Sequence, residues 1–314
     1  MNVRRTFVAA LATGVLLATA ACGGDPLEES DSSSSGEKGS VTIGGQNFTE
    51  SQIMAAIYQE LLESDGYDVT QKLVDTRDIY FPQLQKGNVQ VVPDYLAGIG
   101  DYLNTEANGP DAKPITSNSA EESLTAVQPL AEEVGVTLLT PAEATDQNGF
   151  FVTQDYASEN ELTTLSDLGA LGEPITLAAA KDCPDREDCA LGLESVYGIS
   201  IEEVLPLGFG LAPTFQAVTD GEAELGQTGT TDGTLDAKGL VLLEDDKGIQ
   251  PAQNLTPAVN SDWLGDHPDV EETLDELSGA LTTEDLAALN LKVDQDREKP
   301  EDVAAAFLEE QGLI

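Results

Sequence analysis

Hydrophobic residues recur with two different periods along this chain from about residue 40 onwards. Residues 41–44 and 69–74 alternate between apolar and polar positions, which is typical of short strands. Residues 50–64 instead repeat their apolar positions at the spacing of one helical face. Further strands are expected at 89–92, 136–139, 150–153, 175–178, 223–226 and 240–243, and helices at 79–86, 121–133, 191–197, 214–219, 284–290 and 301–311. Strands that take turns with helices predict α/β layers built on mainly parallel sheets.

Local signals mark the ends of several of these helices. Thr49, with Gln52 three residues later, forms a capping box and predicts a helix directly after the glycines of the first strand. Ser166 is expected to cap a short helix, and either Thr282 or Thr283 the helix over 284–290. The first of these turns, from strand through glycines into a helix, is a place where backbone can approach a ligand.

The N-terminus has the layout of an export signal. Arg4 and Arg5 precede an apolar stretch over 7–21, which is too short to span a bilayer comfortably and ends in small residues before Cys22. This layout resembles a bacterial lipobox, in which Cys22 would carry lipid; an ordinary signal peptide with an incidental cysteine is the alternative. Residues 23–39 are rich in Ser, Gly and acids and lack an apolar period, so they predict a disordered tether.

Residues 40–314 exceed what one hydrophobic core usually serves, so two lobes are expected. The formal net charge of −44 repels phosphate backbones and excludes nucleic acid as a general partner. Cys183 and Cys189 lie close together in the sequence, and outside the cytoplasm such a pair is most simply a disulfide. Zinc binding is the rival, but two thiols without a histidine make a poor site.

The residues needed for catalysis are scarce. His267, the only histidine, lies in a Gly-Asp-His-Pro stretch that is read as a surface loop. The sequence contains no phosphate-binding GxxxxGK[ST] loop, no dinucleotide-binding GxGxxG and no HExxH zinc motif. We therefore predict that the protein is not an enzyme and uses no cofactor and no metal.

Seven motifs occur in the order typical of one protein family. They are GGQNFTESQ at 44–52, VVPDYLAG at 91–98, QNGFFV at 147–152, TLSDL at 164–168, VYGI at 196–199, TTDG at 230–233 and VLLEDDKGIQP at 241–251. Together they resemble the substrate-binding proteins of osmoprotectant ABC importers, which handle glycine betaine, choline and carnitine, and in particular actinobacterial lipoprotein members.

The resemblance implies a type II periplasmic-binding-protein fold, an α/β structure of two lobes joined by two crossover strands with a ligand cleft between them. The crossovers would fall near 143–148 and 245–252. Lobe one would comprise residues 40–145 plus 251–314, and lobe two residues 146–250. Residues 1–22 would be the lipoprotein signal peptide with the lipidated Cys22, followed by the tether.

The family's ligand residues carry over to specific positions. A quaternary ammonium cannot donate hydrogen bonds, so proteins hold it on aromatic faces. The resemblance implies cage rings at Tyr95, Phe150 and Phe215. Relatives often carry a further aromatic residue where this chain has Gly229, and a polar Thr at Gly98, so one wall of the cage is expected to be open. The full set of implied ligand-binding residues is Asn47, Phe48, Thr49, Asp94, Tyr95, Asn148, Phe150, Phe215, Thr230 and Thr231. For each aromatic residue, core packing is the alternative.

The function implied is that of an extracytoplasmic solute-binding lipoprotein, anchored to the outer face of the cell membrane. It would capture a compatible solute such as glycine betaine, choline, carnitine or proline betaine and act as a monomer. Its partners would be that solute, the ABC permease with its ATPase subunits, and the membrane through Cys22. The alternatives are a receptor of the same fold for a polyol, an amino acid or an aromatic compound, an enzyme on a similar scaffold, and a surface lipoprotein without a transport role.

Overall fold

The computed structural model describes residues 38–314, so the predictions for the signal peptide, the lipid-bearing Cys22 and most of the tether lie outside the described residues. The strands are β1 Ser40–Gln46, β2 Asp68–Val74, β3 Val91–Tyr95, β4 Val136–Leu138, β5 Asn148–Thr153, β6 Pro174–Ala179, β7 Ser200–Pro206, β8 Leu225–Gly229, β9 Leu240–Leu243 and β10 Leu255–Asn260. Within these residues, no helix combines the length and the apolar character needed to cross a bilayer.

The helices surround the strands and fill the stretches between them. They are α1 Thr49–Ser64, α2 Arg77–Gln85, α3 Leu96–Asn108, α4 Ala120–Glu133, α5 Gln154–Glu159, α6 Leu165–Leu171, α7 Ala190–Tyr197, α8 Ala212–Thr219, α9 Ser261–Asp266, α10 Asp269–Ala280, α11 Thr283–Asp294 and α12 Pro300–Gln311. The last three close the chain with a helical layer, and α11 and α12 pack against α1.

The strands form two sheets of five. The first has the order β2-β1-β3-β10-β4 and the second β7-β6-β8-β5-β9. We call the part built on the first sheet lobe one and the part built on the second sheet lobe two. Each sheet is covered on both faces, and each lobe has two clusters of buried apolar side chains. The α/β class and the two-sheet architecture are therefore as predicted.

Both sheets are mixed, whereas the sequence predicted mainly parallel ones. β10 runs antiparallel to β3 and β4, and β5 runs antiparallel to β8 and β9. β5 and β10 are the strands that enter a lobe from the other lobe. Each starts at the edge where its parallel neighbours end, so it has to run in the opposite direction.

The two segments that connect the lobes lie side by side. Thr145 pairs with Asn254 in an antiparallel bridge, and the Asp146 N–H donates to the Gln253 carbonyl at 3.2 Å. The Gln147 side-chain amide donates to the Pro251 carbonyl at 2.8 Å. Asp146 thus lies on one of two paired strands at the junction of the lobes.

Two of the predicted helix caps are wrong. Phe48, not Thr49, precedes α1, and no side chain caps this helix. The Thr49 hydroxyl donates instead to Asp294 Oδ1 at 2.7 Å, a contact from α1 to α11. The cap of α6 is Thr164, which forms a capping box with Asp167, while Ser166 lies inside the helix. Thr282 caps α11 in the same way, as one of the two predicted alternatives.

The predicted disulfide is present. Cys183 and Cys189 are bonded with their Cα atoms 5.2 Å apart, and both sulfurs are buried within lobe two. The bond closes a short loop before α7 that carries Arg186 and Asp188. This loop lies against the crossovers, because Asp188 accepts a hydrogen bond from Asn148 at 2.8 Å and its carbonyl accepts one from Gln250 at 2.8 Å.

Candidate ligand cleft

A cavity of about 420 Å³ lies between the lobes beside the first crossover. Its walls are Asp146, residues 209–210 and Phe215, residues 228–229 and 231–234, Lys238, and Asn290, Leu291 and Asp294 of α11. A smaller pocket of about 180 Å³ shares Asp146 and Phe209 with it and extends to Arg186, Asp188 and Gln250. We refer to the two spaces together as the cleft. Asp146 and Phe209 lie where they meet.

Two of the predicted aromatic residues lie together on lobe one, although neither lines the two spaces of the cleft. Phe48 and Tyr95 are stacked, with ring centroids 6.5 Å apart and planes inclined by 23°. Phe48 is exposed, whereas Tyr95 packs partly against the lobe-one core. The positions of both rings follow directly from local structure, since Phe48 ends the β1–α1 turn and Tyr95 ends β3.

A chain of hydrogen bonds leads from Tyr95 across to lobe two. The Tyr95 hydroxyl donates to Glu50, and Asn290 Nδ2 donates both to Glu50 Oε2 at 2.6 Å and to the Thr231 carbonyl at 3.3 Å. Burial, followed by the charges of Glu50 and Asp146, raises the pKa of Tyr95 well above its usual range. The phenol therefore stays protonated and keeps donating.

Asp146 is the titratable group at the centre of the cleft. Its Oδ1 accepts a hydrogen bond from the Thr231 hydroxyl at 3.2 Å. Burial and the nearby charge of Glu50 raise the pKa of Asp146 to about 7, although the hydrogen bond from Thr231 acts in the opposite direction. A carboxyl group with such a pKa gains its charge most readily when a cation lies beside it.

Asp146 and Phe209 lie beside Gly229, where the sequence predicts an open wall. A Cβ atom on Gly229 would lie 3.2 Å from Asp146 Oδ1 and 3.8 Å from the Phe209 ring. Phe209, which is 44% exposed, supplies an aromatic surface beside Gly229, where the sequence predicts that an aromatic residue is missing. Phe209 could not be predicted from the sequence, because it lies in a Gly-Phe-Gly loop after β7, outside every motif.

Phe215 lines the cavity as predicted, but its ring is already covered. Lys238 Nζ lies 4.1 Å from the centre of the Phe215 ring, and the other neighbours of Phe215 include Phe151 at 5.2 Å. The ring thus contacts a cation that belongs to the protein. A solute could reach this face only if Lys238 moved.

Phe150 and Asp94, two of the predicted ligand residues, are buried and line neither space of the cleft. Phe150 is 1% exposed and packs in one of the two lobe-two clusters, because both faces of β5 are covered. Asp94 is 2% exposed and accepts hydrogen bonds from Arg77 Nε at 3.0 Å, from Arg77 Nη2 at 2.7 Å and from the Tyr80 hydroxyl. The Arg77 guanidinium also fills the space that a side chain at Gly98 would need.

The remaining predicted residues lie around the cleft with different contacts. Asn148 lines the smaller pocket and donates to Asp188 and to Gln250 Oε1 at 2.9 Å. Thr231 lines the cavity, whereas the Thr230 hydroxyl bonds to the first crossover at Thr145 and Gln147. Asn47 accepts a hydrogen bond from Gln52 at 2.8 Å within the β1–α1 turn.

Two five-stranded lobes, paired crossovers and a cleft with aromatic and carboxylate walls define a periplasmic-binding-protein fold of type II. A family model described as the substrate-binding domain of ABC-type glycine betaine transport systems matches residues 39–310. The chain therefore belongs to this family, whose members are solute receptors and not enzymes.

Individual relatives agree with this family. The chain is 27% identical to the glycine betaine-binding protein YehZ of Escherichia coli over 282 residues, covering 87% of this chain and 90% of that protein. It is 26% identical to the carnitine transport binding protein OpuCC of Listeria monocytogenes, covering 88% of each. The solved structure of apo YehZ from Escherichia coli is similar with a TM-score of 0.75 at 26% identity, covering 87% of this chain and 99% of that one.

Proposed function

We propose that this protein is the extracytoplasmic receptor of an ABC importer and captures a small cationic or zwitterionic compatible solute such as glycine betaine, choline, carnitine or proline betaine. The observation that supports this most directly is the composition of the cleft. Phe209 presents a ring to the cleft from lobe two, and the Asp146 carboxyl lies at the junction. Tyr95 is connected to the cavity wall through Glu50 and Asn290, and Phe48 stacks on Tyr95. Aromatic faces and a carboxylate both attract a positive charge.

The smaller pocket suits the other end of a zwitterion. Arg186 is the basic side chain in its wall, held by two hydrogen bonds to Asp188. A ligand carboxylate is therefore expected beside Arg186 while its ammonium lies near Asp146. Binding of both ends would bring the lobes together, as in hinge closure around a solute.

Two further parts of this proposal concern where the protein works. We expect Cys22 to carry lipid and residues 23–39 to tether the receptor to the outer face of the membrane. A relative in Helicobacter pylori is named as a joint ergothioneine transport permease and binding protein, which agrees with a permease as the partner of this receptor. It is 24% identical over 162 residues, covering 52% of this chain and 29% of that protein. A Cys22→Ala variant should move from the membrane fraction to the soluble fraction. A variant that stays in the membrane fraction would contradict the anchor.

Calorimetric titration of the purified protein with glycine betaine, choline, carnitine and proline betaine tests the proposal. At least one should bind, and Phe209→Ala should weaken that solute about tenfold, since a ring contributes about 0.5–2 kcal/mol to holding a cation. Leu211→Ala is the matched control, because Leu211 is 55% exposed in the same loop and lines neither pocket. If none of these four solutes gives a heat of binding, and a polyol or a neutral aromatic compound does, the alternative receptor is favoured.

A further inference from the structure

We infer that the disulfide-closed loop over 183–189 makes this receptor prefer zwitterionic solutes to plain cations, because the loop holds the Arg186 guanidinium in the wall of the smaller pocket. This inference rests on the proposed function and narrows its substrate class. Aromatic rings and the Asp146 carboxyl attract the positive end of choline and of glycine betaine alike. Only a group that binds the negative end distinguishes the two solutes.

The charges of the smaller pocket give the guanidinium this role. Two carboxylates, Asp146 and Asp188, line the pocket together with Arg186, which is its one basic side chain among the described residues. Without Arg186, a solute carboxylate that entered would meet only negative charge, in a protein whose formal net charge is already −44. With Arg186 in place, the same carboxylate meets a cation whose planar N–H groups match its two oxygens.

Arg186 keeps donors available for a ligand although it is already paired. Its Nε and Nη2 atoms donate to the two oxygens of Asp188 at 2.9 and 2.5 Å, and Nη1 lies 3.6 Å from an Asp182 oxygen. A guanidinium carries five N–H groups, so the two bonds to Asp188 leave the other three without a hydrogen bond within residues 38–314. The side chain is 33% exposed and also lines a third space of about 500 Å³, so a solute can approach it.

The position of Arg186 depends on how its loop is closed. Cys183 and Cys189 are buried in lobe two and fix the two ends of the loop against each other. Between them, the Arg186 N–H donates to the Cys183 carbonyl at 3.2 Å, and the Cys189 N–H donates to the Arg186 carbonyl at 3.2 Å. Within the described residues, the guanidinium pairs only with acids in this loop or directly before it. Arg186 therefore moves wherever the loop moves.

Loss of the disulfide should reduce binding of the negative end of a solute. A loop without this constraint has to be ordered when the solute binds, and the cost of ordering is subtracted from the free energy of binding. The contacts of the positive end lie at Asp146 and Phe209, which are outside the loop. Those contacts persist, so the affinity for a zwitterion should fall more than the affinity for a plain cation.

The experiment is titration calorimetry with glycine betaine and choline, which share a trimethylammonium group, whereas only glycine betaine has a carboxylate. We expect the wild-type protein to bind glycine betaine more tightly than choline. The double variant Cys183→Ala/Cys189→Ala should lower this ratio of affinities at least about tenfold, the size of one hydrogen bond between charged groups. Arg186→Gln leaves the disulfide intact and should lower the ratio by a similar factor, so the loop is tested even if the double variant does not fold.

Lys181→Gln is the matched control, because Lys181 is an exposed cation just before the loop that lines neither space of the cleft. Its ratio should stay within about twofold of wild type, since solvent screens an exposed charge. A folded double variant or an Arg186→Gln protein that keeps the wild-type ratio would overturn the inference. Wild-type protein that binds choline as tightly as glycine betaine, or more tightly, would do the same. These results leave the proposed function intact, whereas the proposed function itself fails if no solute with a positive charge binds at all.

Discussion

Lys238 holds its ammonium group 4.1 Å from the centre of the Phe215 ring, on the wall of the ligand cavity. Sequence comparison within the family would assign this ring to the solute. The structure assigns it to a cation on the protein's own chain, which also donates to the Thr234 hydroxyl. The cavity therefore contains one aromatic face whose availability depends on a lysine.

Removal of this lysine should favour quaternary ammonium solutes. Lys238→Gln exposes the Phe215 ring, and we expect the affinity for glycine betaine or choline to rise about 2- to 30-fold, the range of one cation–π contact. Titration calorimetry measures the change. Lys247→Gln is the matched control, since Lys247 lies 4.9 Å from the Tyr197 ring and does not line the cavity. An unchanged or lower affinity in Lys238→Gln would mean that the ring is not accessible to the solute.

Binding of a cationic solute should depend on pH through Asp146. Its pKa of about 7 falls when a cation binds, because the cation stabilises the charged form. Affinity should therefore rise with pH up to about 7–8 and then level off, and it should fall by up to about tenfold per pH unit below that. Glu50 and Thr231 act on Asp146 directly. The other charged residues that line the same spaces are Asp232, Lys238 and Asp294 in the cavity and Arg186 and Asp188 in the smaller pocket.

Dissociation constants measured between pH 5.5 and 8.5 test this dependence, with Asp146→Asn as the comparison. The variant should show a nearly flat profile across the same range. A wild-type profile that is equally flat would exclude Asp146 as the titrating group. The calorimetric signal offers a second readout, since buffers of different ionisation enthalpy report the proton released on binding.

The same ionisation should affect the stability of the ligand-free protein. The pKa of Asp146 is raised in the folded state from 3.8 to about 7. The protonated side chain therefore stabilises the folded state fully below about pH 4, and this stabilisation is lost as the pH rises through 7. Asp146→Asn should thus be more stable than wild type at pH 8 by roughly 1–3 kcal/mol, with a smaller difference at pH 5. Urea unfolding at both pH values measures this, and an equal difference at the two values would count against the raised pKa.

Gly233 should be required for contact between the lobes. A Cβ atom at this position would lie 2.2 Å from the Ala287 carbonyl of α11, which is closer than atoms can approach. Gly233→Ala should therefore push the TTDG segment away from lobe one and weaken solute binding at least tenfold, since misplacement of the cavity wall strains every contact across it. Gly265→Ala is the control, because a Cβ atom there meets nothing within 4 Å. Normal affinity in folded Gly233→Ala would show that the lobes can separate at this point without loss.

Asp94 should matter for folding and not for direct contact with the solute. Asp94→Asn leaves the mostly buried Arg77 without its charged partner, and breaking such a pair costs about 3–5 kcal/mol. The melting temperature should fall markedly, while the solute affinity of the remaining folded protein should change little. Glu106→Gln, which removes an exposed acid on α3, serves as a control. A large loss of affinity with an unchanged melting temperature would restore Asp94 as a ligand residue.

The periodicity of the sequence determined which segments became helices and strands near the cleft. Residues 50–64 lie in α1 because one apolar face repeats at helical spacing. The strand predicted at 89–92 is found as β3 over 91–95, so it continues through Pro93 and Asp94 to Tyr95. The edge strand β7 was missed, since its acidic, half-exposed residues carry little apolar pattern. Two nearby cysteines were sufficient to predict the disulfide.

The character of the cleft was decided only by tertiary structure. In the sequence, Asp146 is one of 58 acidic residues. Its pKa depends on Glu50 and Thr231, which are far away in the sequence. Phe209 occupies the wall beside Gly229 only because a loop folds across β8. Local pattern fixes the direction in which a side chain points from its own element. Which charges and rings it meets depends on contacts between distant segments, and those contacts set the chemistry of the site.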